Sequence, residues 1–159
     1  MKVFKDTNGQ DWQIILNVLQ MKRVRAALGI DLVNVITLDK DGAVKVDLID
    51  RIANDPCLLV DILWVIVQDQ AKSIGVTDEQ FGSALVGDAI ERATAAFLDE
   101  LVDFFPGARR LFLKKAVDLA RKYAGEWTTV LAKALESPEL EKKIAESMSS
   151  SPSSPGSSV

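Results

Sequence analysis

Apolar residues are most concentrated between Cys57 and Val67, where Asp61 is the only polar position. Asp55 is a suitable N-cap and Pro56 suits the first helical position, so the pattern predicts a helix that begins at Pro56. Such a run spans about 16 Å, well short of the roughly 30 Å apolar core of a bilayer. The segment therefore predicts the central helix of a soluble domain, surrounded by other elements, with Cys57 as a small core residue.

The first sixteen residues have the sequence pattern of a β-hairpin. Val3–Asp6 and Trp12–Leu16 are rich in β-prone residues, and they flank a turn containing Asn8-Gly9, two residues that tolerate positive φ. We therefore expect an N-terminal β-hairpin. Asn17 then predicts the start of a helix that continues to Leu28, because apolar residues follow it at helical spacing.

A second polar turn, Asp39-Lys40-Asp41-Gly42, lies between the β-prone segments 32–37 and 43–46. This arrangement favours a second small hairpin, followed by a short helix over 48–54. The acidic turn also resembles part of a calcium-binding loop. However, Leu48 stands where that loop needs a bidentate glutamate, so the turn interpretation is preferred.

Three more helices are predicted after the central one. Thr77 and Gln80 form the pattern of a capping box, Asp88 opens the next helix after Gly87, and Pro106-Gly107 separates that helix from a last one over 108–135. The predicted buried side of the helix after Asp88 comprises Ile90, Phe97, Leu98, Leu101, Phe104 and Phe105. The last helix carries a heptad seam of Leu113, Ala116, Ala120, Tyr123, Trp127, Val130 and Ala134, which fits packing within the domain or a coiled coil with another chain.

These elements predict an α+β fold that is predominantly α-helical. We expect an N-terminal β-hairpin to pack on a bundle of about five helices. A second small hairpin is an optional addition to this fold. We expect one globular domain over residues 1–136 and a short peripheral helix over 137–147. A flexible Ser/Pro-rich tail is expected over 148–159, because it has too little apolar surface to fold.

Composition narrows the chemistry that the chain can perform. The 159 residues include no histidine and one cysteine, so most general bases, metal ligands and thiol nucleophiles are absent. Asp61, inside an apolar run, and the group Asp99, Glu100 and Asp103 are the remaining candidates for catalysis. A structural role is the preferred explanation in both cases: Asp61 lies at a rim or pairs with an arginine such as Arg51, and the acidic group lies at a surface helix end. No active site and no cofactor are therefore predicted.

Charge is distributed unevenly along the chain, which has a net charge of −4. Residues 78–103 contain seven acidic side chains and one arginine, whereas 109–122 contain six basic side chains and one aspartate. An antiparallel helix pair within one molecule is the simpler explanation, and a contact between neighbouring molecules that builds rings or filaments is the alternative. The net charge argues against general affinity for nucleic acid or anionic membranes, although the basic segment keeps a nucleic-acid-binding protein as a third possibility.

Several motifs together resemble the tail assembly chaperones of long-tailed bacteriophages, over roughly residues 1–125. They are Phe4–Trp12, Met21–Arg25, Arg51–Asp61, Gly75–Gly82, Gly87–Glu91 and Phe104–Pro106. The resemblance implies a non-enzymatic protein that binds the tape-measure protein, recruits tail-tube subunits and is absent from the mature virion. It further implies a location in the cytoplasm of the infected bacterial host, and a ribosomal frameshift near the end of the short product that yields a longer fusion.

A surface for such a partner is expected on the last helix, where apolar seam residues are flanked by cations. The candidate partner-binding residues are Arg109, Arg110, Leu113, Lys114, Lys115, Tyr123 and Trp127. Self-association through this surface is a further possibility. The main rival function is a structural virion component, such as a neck or tail-completion protein; an enzyme that uses Asp61 or the Asp99 group is the rival from another class.

Overall fold

The computed structural model describes the backbone of residues 1–135 and of Pro138, Lys142, Ala145 and Glu146, with side chains up to residue 122 and at those four positions. Helices dominate, and two antiparallel hairpins complete the fold, which confirms the predicted class. The elements are β1 (Lys2–Lys5), β2 (Asp11–Ile14), α1 (Val18–Leu28), a 3-10 turn (Leu32–Asn34), β3 (Thr37–Leu38), β4 (Val44–Lys45), α2 (Asp47–Asn54), α3 (Pro56–Ile74), α4 (Asp78–Ser83), α5 (Asp88–Phe104) and α6 (Gly107–Leu135).

The predicted N-terminal hairpin is present, with Phe4 opposite Trp12 in the register of β1 and β2. Alternate side chains point into the core, so both of these aromatic residues are buried. The Trp12 ring meets Phe81 of α4 edge-on, with 4.9 Å between ring centroids. Replacing a fully buried aromatic residue with alanine typically costs about 3–5 kcal/mol, so this contact is a major attachment of the hairpin to the helices.

Asp6 organises the turn between the two strands. Its Oδ1 accepts hydrogen bonds from the backbone N–H groups of Asn8 (2.9 Å) and Gln10 (3.0 Å), and its Oδ2 accepts one from the Trp12 indole at 2.8 Å. Gly9 adopts a φ of +83°, whereas Asn8 keeps a negative φ, so only the glycine of this pair uses the left-handed region. Asp6 is 5% exposed, and these three donors compensate for the burial of its carboxylate.

Side chains from two helices satisfy the outer edges of the same hairpin. On the β2 edge, the Gln70 amide of α3 accepts from the Gln13 N–H and donates to the Asp11 carbonyl, each at 3.0 Å, as a neighbouring strand would. On the β1 edge, Arg92 Nε of α5 donates to the Lys5 carbonyl at 3.2 Å. The two-stranded hairpin is therefore held between α3 and α5 by backbone-directed polar contacts as well as by its buried face.

The apolar run forms α3, and its prediction as the central helix is confirmed. Its buried residues are Leu59, Ile62, Leu63, Val65, Ile66, Val67 and Ala71. The helix begins as expected, because Asp55 Oδ1 accepts from the N–H groups of Cys57 (3.0 Å) and Leu58 (3.1 Å). The prediction that Cys57 is a core residue is wrong, since it is exposed. Cys57 lies in the first turn of α3, and the buried residues of this helix begin only at Leu59.

Other helix ends also follow the sequence signals. Asn17 Oδ1 accepts from Gln20 N–H at 3.0 Å at the start of α1. Thr77 and Gln80 form the reciprocal capping box at the start of α4, with bonds of 3.2 and 3.0 Å. These caps fix where the helices begin, and so they fix which helix faces meet the core.

The segment before the second hairpin differs from the prediction. Residues 32–34 were expected to begin a strand, but Leu32–Asn34 is a 3-10 turn. The reason is Asp31, whose Oδ1 accepts from Val33 N–H at 3.1 Å and whose Oδ2 accepts from the Asn34 amide at 2.6 Å. The hairpin that follows is present but short, because each of its strands has two residues.

The turns of the two hairpins have the same local geometry. Asp39 Oδ1 accepts from the N–H groups of Asp41 and Ala43, both at 2.9 Å, and Gly42 has a φ of +79°. This geometry repeats that of Asp6 and Gly9. The second hairpin is nevertheless exposed along both strands, and no helix side chain in the described residues bonds to its edges.

One compact unit spans Met1–Ala120, and a second begins at Arg121. This division does not test the domain boundary predicted at residue 136, which stays a prediction. The predicted peripheral helix over 137–147 and the predicted tail over 148–159 lie outside the described residues, apart from four isolated positions.

Asp6→Asn tests the contribution of the buried carboxylate to stability. The amide oxygen can still accept in the turn, but the amide nitrogen would face the Trp12 indole donor, so we expect a loss of about 1.5–3 kcal/mol in the free energy of unfolding. Urea denaturation followed by circular dichroism measures it. Asp39→Asn is the matched control, because it has the same turn without the indole, and it should change stability little. Equal losses in the two variants would contradict a role for the bond between Asp6 and Trp12.

Candidate partner-binding surface

The first turns of α6 carry the predicted cations on the surface. Arg109, Arg110, Lys114 and Lys115 are all exposed. Tyr123 and Trp127 lie on the same helix, but their side chains are outside the described residues. The cationic half of the predicted surface is therefore accessible.

Leu113 does not belong to that surface. It is fully buried and, with the buried Val117 one turn later, joins the hydrophobic core. Ala116 and Ala120 are half-buried beside them. At this end of the heptad seam, the side chains pack within the molecule, and Leu113 is therefore unavailable to a partner.

Three large apolar side chains are exposed on α6 and were not singled out from the sequence. Leu111, Phe112 and Leu119 are 66%, 41% and 52% exposed. Lys115 lies four residues after Leu111, three after Phe112 and four before Leu119, so it neighbours all three on the helix surface. The seven-residue spacing of Phe112 and Leu119 is a sequence signal that could have found this face. We call Leu111, Phe112, Lys114, Lys115 and Leu119 the outer face of α6.

The two arginines are held by the end of α5. The Arg109 guanidinium lies over the Phe105 ring, 5.6 Å from its centroid. Arg110 Nε donates to the Phe105 carbonyl at 2.9 Å. A cation that bonds a carbonyl at a helix C-terminus is favoured by the helix dipole. The arginines thus fix the junction of α5 and α6, while Lys114 and Lys115 form no ion pair within the described residues.

The acidic group near the end of α5 separates into different environments. Glu100 was expected on the surface, but it is 6% exposed and lies under the N-terminal hairpin. Its Oε1 accepts from Leu16 N–H at 3.2 Å, and its Oε2 lies 3.0 Å from the Met1 amino nitrogen, an ion pair without hydrogen-bond alignment. Asp103 pairs with Lys2 at 3.1 Å and raises the pKa of that lysine. Glu100 was missed because the N–H that it binds lies 84 residues away in the sequence.

The other predicted acidic candidate, Asp61, is exposed on α3, as the rim interpretation expected. Two other carboxyl groups, those of Asp69 and Asp31, lie in surface ion pairs. Hydrogen bonding to Arg23, at 2.8 Å, lowers the pKa of Asp69, and hydrogen bonding to Arg25, at 2.7 Å, lowers that of Asp31. Both pairs stabilise the charged carboxylate, and the first links α1 to α3.

Two further properties concern only the part of the chain that the structure describes. No group of three or more cysteine, aspartate or glutamate side chains there is placed to hold a metal ion. No helix there is long and apolar enough to cross a membrane.

Comparisons with protein-family models, with curated proteins and with solved structures give no match to this chain. The resemblance to tail assembly chaperones therefore stays a prediction from the sequence motifs.

Asp69→Asn tests the ion pair between α1 and α3. Because Arg23 lowers the pKa of Asp69 from its ordinary 3.8, the pair contributes fully above about pH 4 and is lost as the pH falls through the lowered pKa. We expect a small drop in the urea midpoint at pH 7 that becomes smaller as the pH falls below 3.8. Asp61→Asn is the control on the same helix. The same pH dependence in both variants would contradict the assignment.

Proposed function

We propose that this protein is a non-enzymatic tail assembly chaperone of a long-tailed bacteriophage. It binds the tape-measure protein and recruits tail-tube subunits in the cytoplasm of the infected host. The observation that carries the proposal is the outer face of α6, which presents exposed apolar side chains and two lysines that form no ion pair within the described residues. The identity of the partners is what the resemblance of the sequence motifs to the chaperone family implies.

The outer face suits reversible binding of a long, largely helical protein. Exposed apolar side chains along a helix can pack against the apolar stripe of another helix without requiring one particular sequence. The lysines add attraction that is screened by salt and contributes little per exposed pair, about 0–1 kcal/mol. A partner held in this way can be collected during assembly and released afterwards.

The opposite side of α6 supports the same proposal. Leu113 and Val117 anchor the helix in the core, and Arg109 and Arg110 fix its beginning against α5. The outer face thus lies on a helix whose other side is anchored in the core, and anchoring of this kind reduces the entropy lost when a partner binds.

Reversal of two charges tests the surface. In Lys114→Glu/Lys115→Glu we expect at least tenfold weaker capture of the co-expressed tape-measure protein in a pull-down, because attraction becomes repulsion. Lys22→Glu/Lys45→Glu changes the net charge equally at exposed positions elsewhere, and it should leave capture unchanged. Full capture by the first variant would remove the outer face from the mechanism.

The composition of purified particles separates the proposal from its main rival. A chaperone that leaves during assembly should be absent from mature virions and present in lysates, as measured by quantitative mass spectrometry. A neck or tail-completion protein would instead be recovered at a constant number of copies per particle, and that result would replace the chaperone proposal with the structural one.

A further inference from the structure

The part of α6 that carries the outer face, from Gly107 to Ala120, differs in charge from the rest of the molecule, and two of its cations, Lys114 and Lys115, lie on that face. Between Gly107 and Ala120 the chain has four cations and one carboxylate, although its net charge is −4. The remainder of the protein is therefore more acidic than the total indicates. An anionic partner is attracted to this segment and repelled by the molecule as a whole.

The shape of the same face indicates the conformation of what it binds. Phe112 and Leu119 lie two helical turns apart on one side of α6, about 10 Å along the axis. A second helix that packs at a shallow angle presents its own apolar side chains at this repeat, whereas an extended strand alternates at about 7 Å.

We propose that the occupant of the outer face is an amphipathic α-helix whose apolar stripe is flanked by carboxylates. Its apolar residues cover Leu111, Phe112 and Leu119, and its acidic flanks pair with Lys114 and Lys115. The long aliphatic stem of Lys115 covers the centre of the contact while its ammonium group reaches the rim. This inference rests on the proposed function, since it specifies which part of a helical partner the same surface selects.

Charge favours partner helices with acidic flanks and disfavours those with basic flanks. Lys114 and Lys115 lack ion-pair partners in the described part of the chain, so acidic flanks gain their attraction without breaking an existing pair. Basic flanks would place like charges around the apolar contact. Complementary charge thus discriminates between helices of equal apolar content.

Fluorescence anisotropy with the full-length protein tests the inference. The probe is a labelled three-heptad peptide with leucine at the a and d positions and glutamate at the flanking e and g positions. A second peptide has lysine in place of those glutamates. We expect the acidic peptide to bind at least tenfold more tightly at low salt and to lose most of that advantage at 0.5 M salt, because screening removes the electrostatic part.

Two protein variants locate the binding. Leu111→Ser/Leu119→Ser should weaken binding of the acidic peptide at least tenfold, while Val86→Ser, at a position 61% exposed elsewhere, should leave it unchanged. Circular dichroism checks that both variants fold. Equal binding of the two peptides, or equal losses in the two variants, would overturn the inference.

Three further outcomes are decisive. If sedimentation shows that the protein self-associates through Leu111 and Leu119 and does not bind the acidic peptide, the face is a contact between copies and the inference fails. If lysine-dependent capture of the tape-measure protein persists without discrimination between the peptides, the inference fails while the proposed function stands. If neither measurement depends on this face, its proposed role in the function fails as well.

Discussion

The placement of the N-terminal hairpin depends on hydrogen bonds that its own two strands cannot supply. An isolated two-stranded hairpin is marginally stable in water. Here the Gln70 amide completes one edge, Arg92 completes part of the other, and Glu100 accepts from Leu16 N–H where the second strand ends. With these edge groups bonded to the helices, the hairpin buries Trp12 against Phe81 and covers the core beside α3 and α5.

The same core divides α6 into two sides with different roles. Leu113 and Val117 hold the helix, while Leu111, Phe112 and Leu119 remain exposed. Scattered exposed apolar residues are ordinary on a protein surface. Their grouping around Lys115 on an anchored helix is what supports a binding role. The proposed chaperone function thus rests on a property of one helix and on sequence motifs whose residues mainly specify helix ends, turns and the core.

Local signals predicted much of the fold. The caps at Asp55 and Thr77 and the turn around Gly9 depend on residues within a few positions of one another, so the sequence was sufficient to find them. Leu32–Asn34 was mistaken for a strand because apolar composition outweighed the nearby cap at Asp31. Cys57 was placed in the core because the whole run is apolar, although the first turn of a helix can project beyond the elements that bury the rest.

The candidate surface was harder to predict than the fold. Positions of the cations on α6 could be read from the sequence, but the side of the helix that enters the core depends on how the helix meets α5. Leu113 and Leu119 have the same chemistry, and only tertiary packing decides that the first is buried and the second exposed. The burial of Glu100 likewise depends on a hairpin that lies far away along the chain.

The repeated turn gives the molecule two hairpins of unequal protection. Asp39 and Gly42 reproduce the local geometry of Asp6 and Gly9, but the second hairpin lacks the indole contact, and no helix side chain in the described residues bonds to its edges. We therefore expect its amide protons to exchange with solvent through local opening, and those of the first hairpin, which is bonded to two helices and buried on one face, to exchange more slowly. The same local turn thus occurs in the chain with two different degrees of tertiary protection.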